Sequence, residues 1–134
     1  GLMKGLKLTA GAVASSVGHD AHNIVIAGAD EASMQVALKA IEAMRGGIVI
    51  VEEGEVVASV PLPLAGLLSD KRAIEVQKET EVFKRVWESK GLGIPYMGFN
   101  LIPLSVIPDI RLTDKGLIIV KELKQIPLFE DLPS

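Results

Sequence analysis

Hydrophobic and polar positions follow two different periods along the chain, and this predicts both helices and strands. After Asp30, apolar residues recur every three or four positions, as on one face of a helix. The residues on that face are Met34, Ala37, Leu38, Ile41 and Met44. Asp30 is suited to cap the start of this helix, and Gly46 or Gly47 is expected to supply the left-handed residue that ends it.

A second helix is predicted over residues 71 to about 90, with Ser69 or Asp70 as its cap. Its apolar face contains Val76, Phe83, Val86 and Trp87. Short β-branched runs predict strands at residues 24–27, 48–51 and 56–60, the last two joined as a hairpin. We also expect a strand within residues 6–17 and two short ones at residues 109–113 and 117–120. The predicted fold class is α+β, a mostly antiparallel sheet packed against two main helices, and residues 1–134 are expected to form a single domain.

Composition narrows the classes of protein that fit. Hydrophobic residues make up 49% of the chain and aromatic residues only 4%, which predicts a core of aliphatic side chains. The net charge of −3 gives no basic surface for nucleic acid. The chain has no cysteine, which excludes disulfides and thiolate chemistry and fits a reducing cytoplasm. Mean hydropathy is +0.37, yet no apolar run approaches the ~20 residues of a membrane span. Part of this apolar surface is therefore expected to face another domain or subunit, for example residues 101–108.

Candidate chemistry is concentrated in residues 15–23, which contain both histidines of the chain. His19, Asp20 and His22 could act as acid, base or ligand contacts, or as three ligands of a metal ion. Ser15 and Ser16 lie nearby but lack the glycine spacing of a nucleophile elbow. A polar turn that docks on a neighbouring surface explains the same residues without chemistry.

Four segments resemble the adenine deaminase family. Residues 11–24, GAVASSVGHDAHNI, are similar to the family's GAIASSVAHDSHNI, with Gly18 in place of Ala and Ala21 in place of Ser. Residues 61–70, PLPLAGLLSD, are similar to PLPIAGLMSD. Residues 46–51 and 106–117 also resemble family sequence, the latter with its LTDKGL motif. Residues 2–8 resemble interior sequence, which favours a piece of a longer enzyme.

This resemblance implies a C-terminal domain of an amidohydrolase that converts adenine and water to hypoxanthine and ammonia. The H-x-H metal ligands of that superfamily lie on an N-terminal barrel, and this chain has no H-x-H. We therefore expect no catalytic residue, metal or other cofactor in this chain, no deaminase activity from it alone, and a divalent metal (Mn or Fe) in the barrel. Expected partners are adenine, the barrel and further copies in a homo-oligomer, in the cytoplasm, with no nucleic acid or membrane.

The same resemblance makes one stretch the candidate for contact with substrate or with the barrel. Its residues are Ser15, Ser16, His19, Asp20, His22 and Asn23. Two other interpretations remain open from the sequence. One is a stand-alone purine-binding or assembly module without catalysis, and the other is a small metal-binding protein that uses His19, Asp20 and His22.

Overall fold

An antiparallel sheet of four strands forms the centre of the computed structural model, which describes residues 1–129. The strands are β1 (Ala12–Ser15), β2 (Val25–Gly28), β3 (Gly47–Glu52) and β4 (Glu55–Pro61). They lie in the order β2-β1-β3-β4, and each neighbouring pair is antiparallel. The strand predicted within residues 6–17 is β1, and it occupies a central position because β2 and β3 pair with its two edges.

The hairpin of β3 and β4 confirms the prediction made from two β-branched runs. Glu52 pairs with Glu55, so Glu53 and Gly54 form a two-residue turn. Both turn residues have positive φ, at 50° and 80°. This backbone is typical of the tight hairpin turns whose twist matches that of the flanking strands.

Helix α1 (Glu31–Met44) begins as predicted, because the Asp30 side chain accepts a hydrogen bond from the Ser33 N–H at 2.7 Å. The prediction for its other end is wrong. Arg45, with φ of 59°, is the left-handed residue, rather than Gly46 or Gly47. The two glycines are needed for a different reason: a Cβ on Gly46 would collide with the backbone of Gly66, and one on Gly47 would lie 2.5 Å from the Val60 carbonyl oxygen.

Helix α2 (Ala73–Ser89) lies within the predicted range, but its cap is Arg72 and not Ser69 or Asp70. The Arg72 N–H donates to the Glu75 carboxylate at 3.2 Å, while the Ser69 hydroxyl accepts from the Lys71 N–H in the preceding turn. After α2 the chain forms a short helix, α3 (Tyr96–Phe99), that the sequence pattern did not predict.

The two main helices cover opposite faces of the sheet, because alternate residues of a strand point to opposite sides. On the α1 face the core is aliphatic, as predicted, and consists of Ala12, Ala14, Ala37, Ile41, Val49 and Val51. The α2 face buries aliphatic residues such as Val13 and Ile50 together with Phe83 and Trp87, whose helical spacing predicts this position, and with Phe99, which the pattern did not place there. Four of the five aromatic residues of the chain lie together here, because of the helical spacing of Phe83 and Trp87 and the position of α3, which carries Tyr96 and Phe99.

A second, separate sheet is formed by β5 (Ile110–Thr113), β6 (Gly116–Ile119) and β7 (Lys124–Ile126), in that order. The hairpin of β5 and β6 confirms the two short strands predicted near residues 109–120. Strand β7 was not predicted, because Lys124 and Gln125 carry no strand pattern and become a strand through pairing with β6. Together the two sheets and the helices confirm the α+β class. Within residues 1–129, the helices are too short or too polar to cross a bilayer.

Candidate functional site

The candidate residues lie at one end of the central sheet, where β1 ends and a loop leads to β2. Two backbone hydrogen bonds fix this loop. The His22 N–H donates to the Gly18 carbonyl oxygen at 2.6 Å, and the His19 N–H donates to the Asn100 carbonyl oxygen at 3.0 Å. One bond therefore closes the loop, and the other joins the loop to the residue that follows α3.

The loop side chains from residue 19 to residue 24 are exposed. His19 Nδ1 lies 3.7 Å from Asp20 Oδ1, and the His19 side chain is 46% exposed. The His19 and His22 rings are tilted by 59°, with their centres 5.2 Å apart. Two imidazoles and a carboxylate thus present hydrogen-bond donors and acceptors outward, where a neighbouring surface or ligand can reach them.

Ser15 and Ser16 are buried at the base of the same loop. The Ser16 hydroxyl donates to the Gly66 carbonyl oxygen at 2.6 Å and accepts from the Gly47 N–H at 2.8 Å. The Ser15 hydroxyl accepts from the Val17 N–H at 3.0 Å. Both hydroxyls are occupied by backbone groups, so these serines hold the loop in place instead of facing outward with the histidines.

Gly18 allows the loop to close tightly. A Cβ at this position would lie 2.9 Å from the Asn23 carbonyl oxygen and 2.9 Å from Val25 Cγ2. The approach is closer than a side-chain carbon tolerates without a shift of its neighbours. The glycine that departs from the resembling sequences therefore has a local consequence for the shape of this loop.

Asn100 is the residue of the site that sequence reasoning missed. Its side chain is 2% exposed, and its Oδ1 atom accepts no hydrogen bond from the described residues. With Val17, Tyr96 and others it lines a cavity of about 250 Å³ beside the loop. A buried amide oxygen without a donor is costly, and this makes Asn100 the polar side chain of the site whose partner the described residues do not supply. The one sequence signal is an amide at the start of an apolar run, residues 100–108.

A metal site is not part of this arrangement. In residues 1–129, no three histidine, aspartate or glutamate side chains come together as ligands for a metal ion. His19, Asp20 and His22 are neighbours in sequence, but the structure does not bring them into such a group. The interpretation of the chain as a small metal-binding protein on these three residues is therefore not supported.

Carboxylates with shifted pKa values lie elsewhere. The hydrogen bond from the Ser33 N–H lowers the pKa of Asp30 at the start of α1. The Lys121 ammonium lowers the pKa of Asp109 beside the second sheet. Both shifts are explained by local capping and pairing, so neither points to a reactive group.

Comparison with known proteins identifies relatives over almost the whole chain. The family model described as adenine deaminase C-terminal domain matches residues 1–124. A protein named adenine deaminase from Chelativorans sp. (strain BNC1) is 62% identical over 130 residues, which are 97% of this chain and 22% of that protein. Adenine deaminase from Bradyrhizobium sp. (strain BTAi1 / ATCC BAA-1182) is 61% identical over 130 residues, again 97% of this chain and 22% of that protein.

A more distant relative shows the same coverage. Adenine deaminase from Methanothrix thermoacetophila is 45% identical over 131 residues, 96% of this chain and 23% of that protein. The chain thus spans less than a quarter of the length of these relatives.

Proposed function

Because this chain belongs to the adenine deaminase C-terminal domain family, we propose that it is the C-terminal domain of an enzyme that deaminates adenine. The reaction consumes adenine and water and releases hypoxanthine and ammonia. The observation that carries this proposal is the identity of 62% with an adenine deaminase over 97% of the chain. We further propose that residues 1–134 act as one domain of a cytoplasmic homo-oligomer that works in purine salvage.

We assign catalysis to the N-terminal part of such an enzyme, which is longer than this domain. The resemblance implies an N-terminal amidohydrolase barrel with a divalent metal, Mn or Fe, that activates water. The described residues of this chain do not offer a set of ligands for that metal. On this resemblance, we propose that the metal and its ligands belong to the barrel and that the C-terminal domain contributes contacts.

The loop of residues 19–23 is the part of this domain proposed to face the barrel and reach the mouth of its active site. Its side chains are exposed, and its backbone is held by hydrogen bonds to Gly18 and Asn100, so the loop backbone presents these side chains from a defined position. Adenine offers ring nitrogens that accept hydrogen bonds and an exocyclic amine that donates them. His19, His22 and Asn23 can donate to the former, and Asp20 can accept from the latter.

The position of Asn100 also supports an interface with the barrel beside the loop of residues 19–23. Its Oδ1 atom lies buried beside the loop without a donor from the described residues. An N–H group of the barrel that enters the cavity lined by Asn100 can donate to this atom, and such a contact would bring the barrel against the loop that Asn100 anchors.

The test is an adenine turnover assay on the full-length enzyme that carries this domain. We expect metal-dependent formation of hypoxanthine and ammonia in equal amounts, and no turnover by the isolated chain. Guanine and cytosine serve as matched control substrates in the same assay. Failure of the full-length, metal-loaded enzyme to release ammonia from adenine refutes the proposed function, and turnover by the isolated chain refutes the assignment of catalysis to the barrel.

A further inference from the structure

The second sheet carries an apolar face. Residues directly opposite each other on paired antiparallel strands point to the same side. Ile110 lies opposite Ile119, and Leu112 lies opposite Leu117. Leu117 in turn lies opposite Ile126. Five aliphatic side chains therefore share one face, and Ile110 and Leu112 on it are 49% and 56% exposed.

The opposite face of this sheet is the one that contacts the preceding segment of the chain. It carries Arg111, Ile118 and Gln125. The Arg111 guanidinium donates to the carbonyl oxygens of Leu104, at 3.3 Å, and Pro108, at 3.2 Å. The aliphatic face is thus turned away from that segment. Several aliphatic side chains exposed together on one face of a sheet are typical of a surface that another part of a protein covers.

The start of the chain lies beside the aliphatic face. A Cβ on Gly1 would lie 3.3 Å from Leu112 Cδ2. Residues 1–5 are exposed, and Leu2 is fully so. The family that matches residues 1–124 is described as an adenine deaminase C-terminal domain, and this chain matches only 22% of the adenine deaminase from Chelativorans sp.. The preceding part of such an enzyme therefore joins this domain next to the aliphatic face.

We propose that the aliphatic face of the second sheet (Ile110, Leu112, Leu117, Ile119 and Ile126) packs against an apolar surface of the N-terminal part of the enzyme. This inference rests on the proposed function, since it requires that the chain is one domain of a longer adenine deaminase. Because the N-terminal part is covalently attached beside this face, its effective concentration there is high. A second copy or a free peptide has no such attachment, so the N-terminal part is the favoured partner. Among the paired strand residues on this face, Lys124 is the one charged residue, and it lies on the edge strand β7. We therefore expect the surface of the N-terminal part that contacts the centre of this face to be uncharged.

The test measures thiol labelling in the full-length enzyme. The chain has no cysteine, so Leu112→Cys adds the single thiol of this domain, and mass spectrometry of the labelled peptide separates it from thiols elsewhere. Gln125→Cys is the matched control, because residue 125 is exposed on the opposite face of the same sheet. We expect a maleimide to label position 112 at least about tenfold more slowly than position 125 in the native enzyme. Ile110→Cys gives an independent measurement on the aliphatic face.

Equal labelling rates at positions 112 and 125 overturn the proposal. Protection that disappears on dilution indicates a second copy, and protection that disappears when residues 128–134 are removed indicates the chain's own end; both results also overturn it. Adenine turnover by the unsubstituted enzyme is measured separately. Slow labelling at position 112 without adenine turnover refutes the proposed function but supports the contact of the aliphatic face. Adenine turnover with rapid labelling at position 112 supports the proposed function but refutes the contact.

Discussion

The backbone N–H of His19 donates a hydrogen bond to the backbone carbonyl of Asn100 at 3.0 Å, and this bond joins the loop after β1 to the end of α3. The second bond of the loop, from His22 to Gly18, also uses main-chain atoms only. The position of the loop therefore does not depend on the imidazole rings. A side-chain substitution at His19 can test the chemistry of the ring without moving the loop.

We expect His19→Ala in the full-length enzyme to lower kcat/KM for adenine by about 10- to 100-fold, which is roughly 1.4–2.8 kcal/mol of transition-state stabilisation. The melting temperature is expected to stay the same, because the side chain is half exposed and its backbone bond remains. Steady-state kinetics and thermal unfolding of the same preparation measure both. Lys84→Ala, on the exposed side of α2, is the control for a surface substitution. Unchanged kcat and KM with normal folding would show that the loop orders the domain interface only.

Ser16→Ala is expected to destabilise the fold by about 1–3 kcal/mol, because it leaves the buried N–H of Gly47 and the carbonyl of Gly66 without their partner. Ser89→Ala removes a serine hydroxyl that also bonds a backbone carbonyl, but at an exposed position, and should change stability by less than about 0.5 kcal/mol. Denaturant unfolding of the two variants gives the comparison. An identical midpoint for Ser16→Ala and the unsubstituted protein contradicts the structural role.

Gly46→Ala tests the close approach between the end of α1 and the turn at Gly66. The added methyl group would collide with the Gly66 backbone, and Gly46 has φ of +120°. We expect a loss of about 3 kcal/mol or more, since neither strand β3 nor the turn can move without breaking its own bonds. Gly91→Ala is the matched control: φ is +63° there, but nothing lies within 4 Å of the new carbon. Its cost should be about 1 kcal/mol, from the backbone conformation alone. Equal losses in a chemical unfolding series would mean that the approach at Gly46 is not tight.

Features that depend on neighbouring residues in the chain were predictable from the sequence. The Asp30 cap, the apolar face of α1 and the β3–β4 hairpin each follow from a pattern of a few residues, and the structure confirms all three. The end of α1 was not predictable in the same way. Gly46 and Gly47 resemble a helix stop, but their demand for glycine comes from Gly66 and Val60, which are distant in sequence.

The same distinction between local patterns and distant contacts applies to the candidate site. The sequence located the polar loop, because both histidines and Asp20 lie within four positions. It could not separate the buried Ser16 from the exposed His19, since burial depends on how β1 meets β3 and the Gly66 turn. Asn100 was missed because its hydrogen bond with the loop joins residues far apart in the chain, with α2 and α3 between them.

The pKa of Asp30 gives a test by pH. The hydrogen bond from the Ser33 N–H stabilises the charged carboxylate and lowers its pKa below the ordinary value of 3.8. The folded state thus binds this proton more weakly than the unfolded state does. The stabilisation is fully present above the unfolded pKa and is lost as pH falls through the folded pKa.

We therefore expect Asp30→Asn to remove one contribution to acid sensitivity, because an asparagine still caps the helix but does not titrate in this range. Between about pH 5 and pH 2, the unfolding midpoint of the unsubstituted protein should fall more steeply than that of the variant. Urea unfolding at several pH values measures the two slopes. Parallel curves for Asp30→Asn and the unsubstituted protein would show that the cap does not favour the charged form.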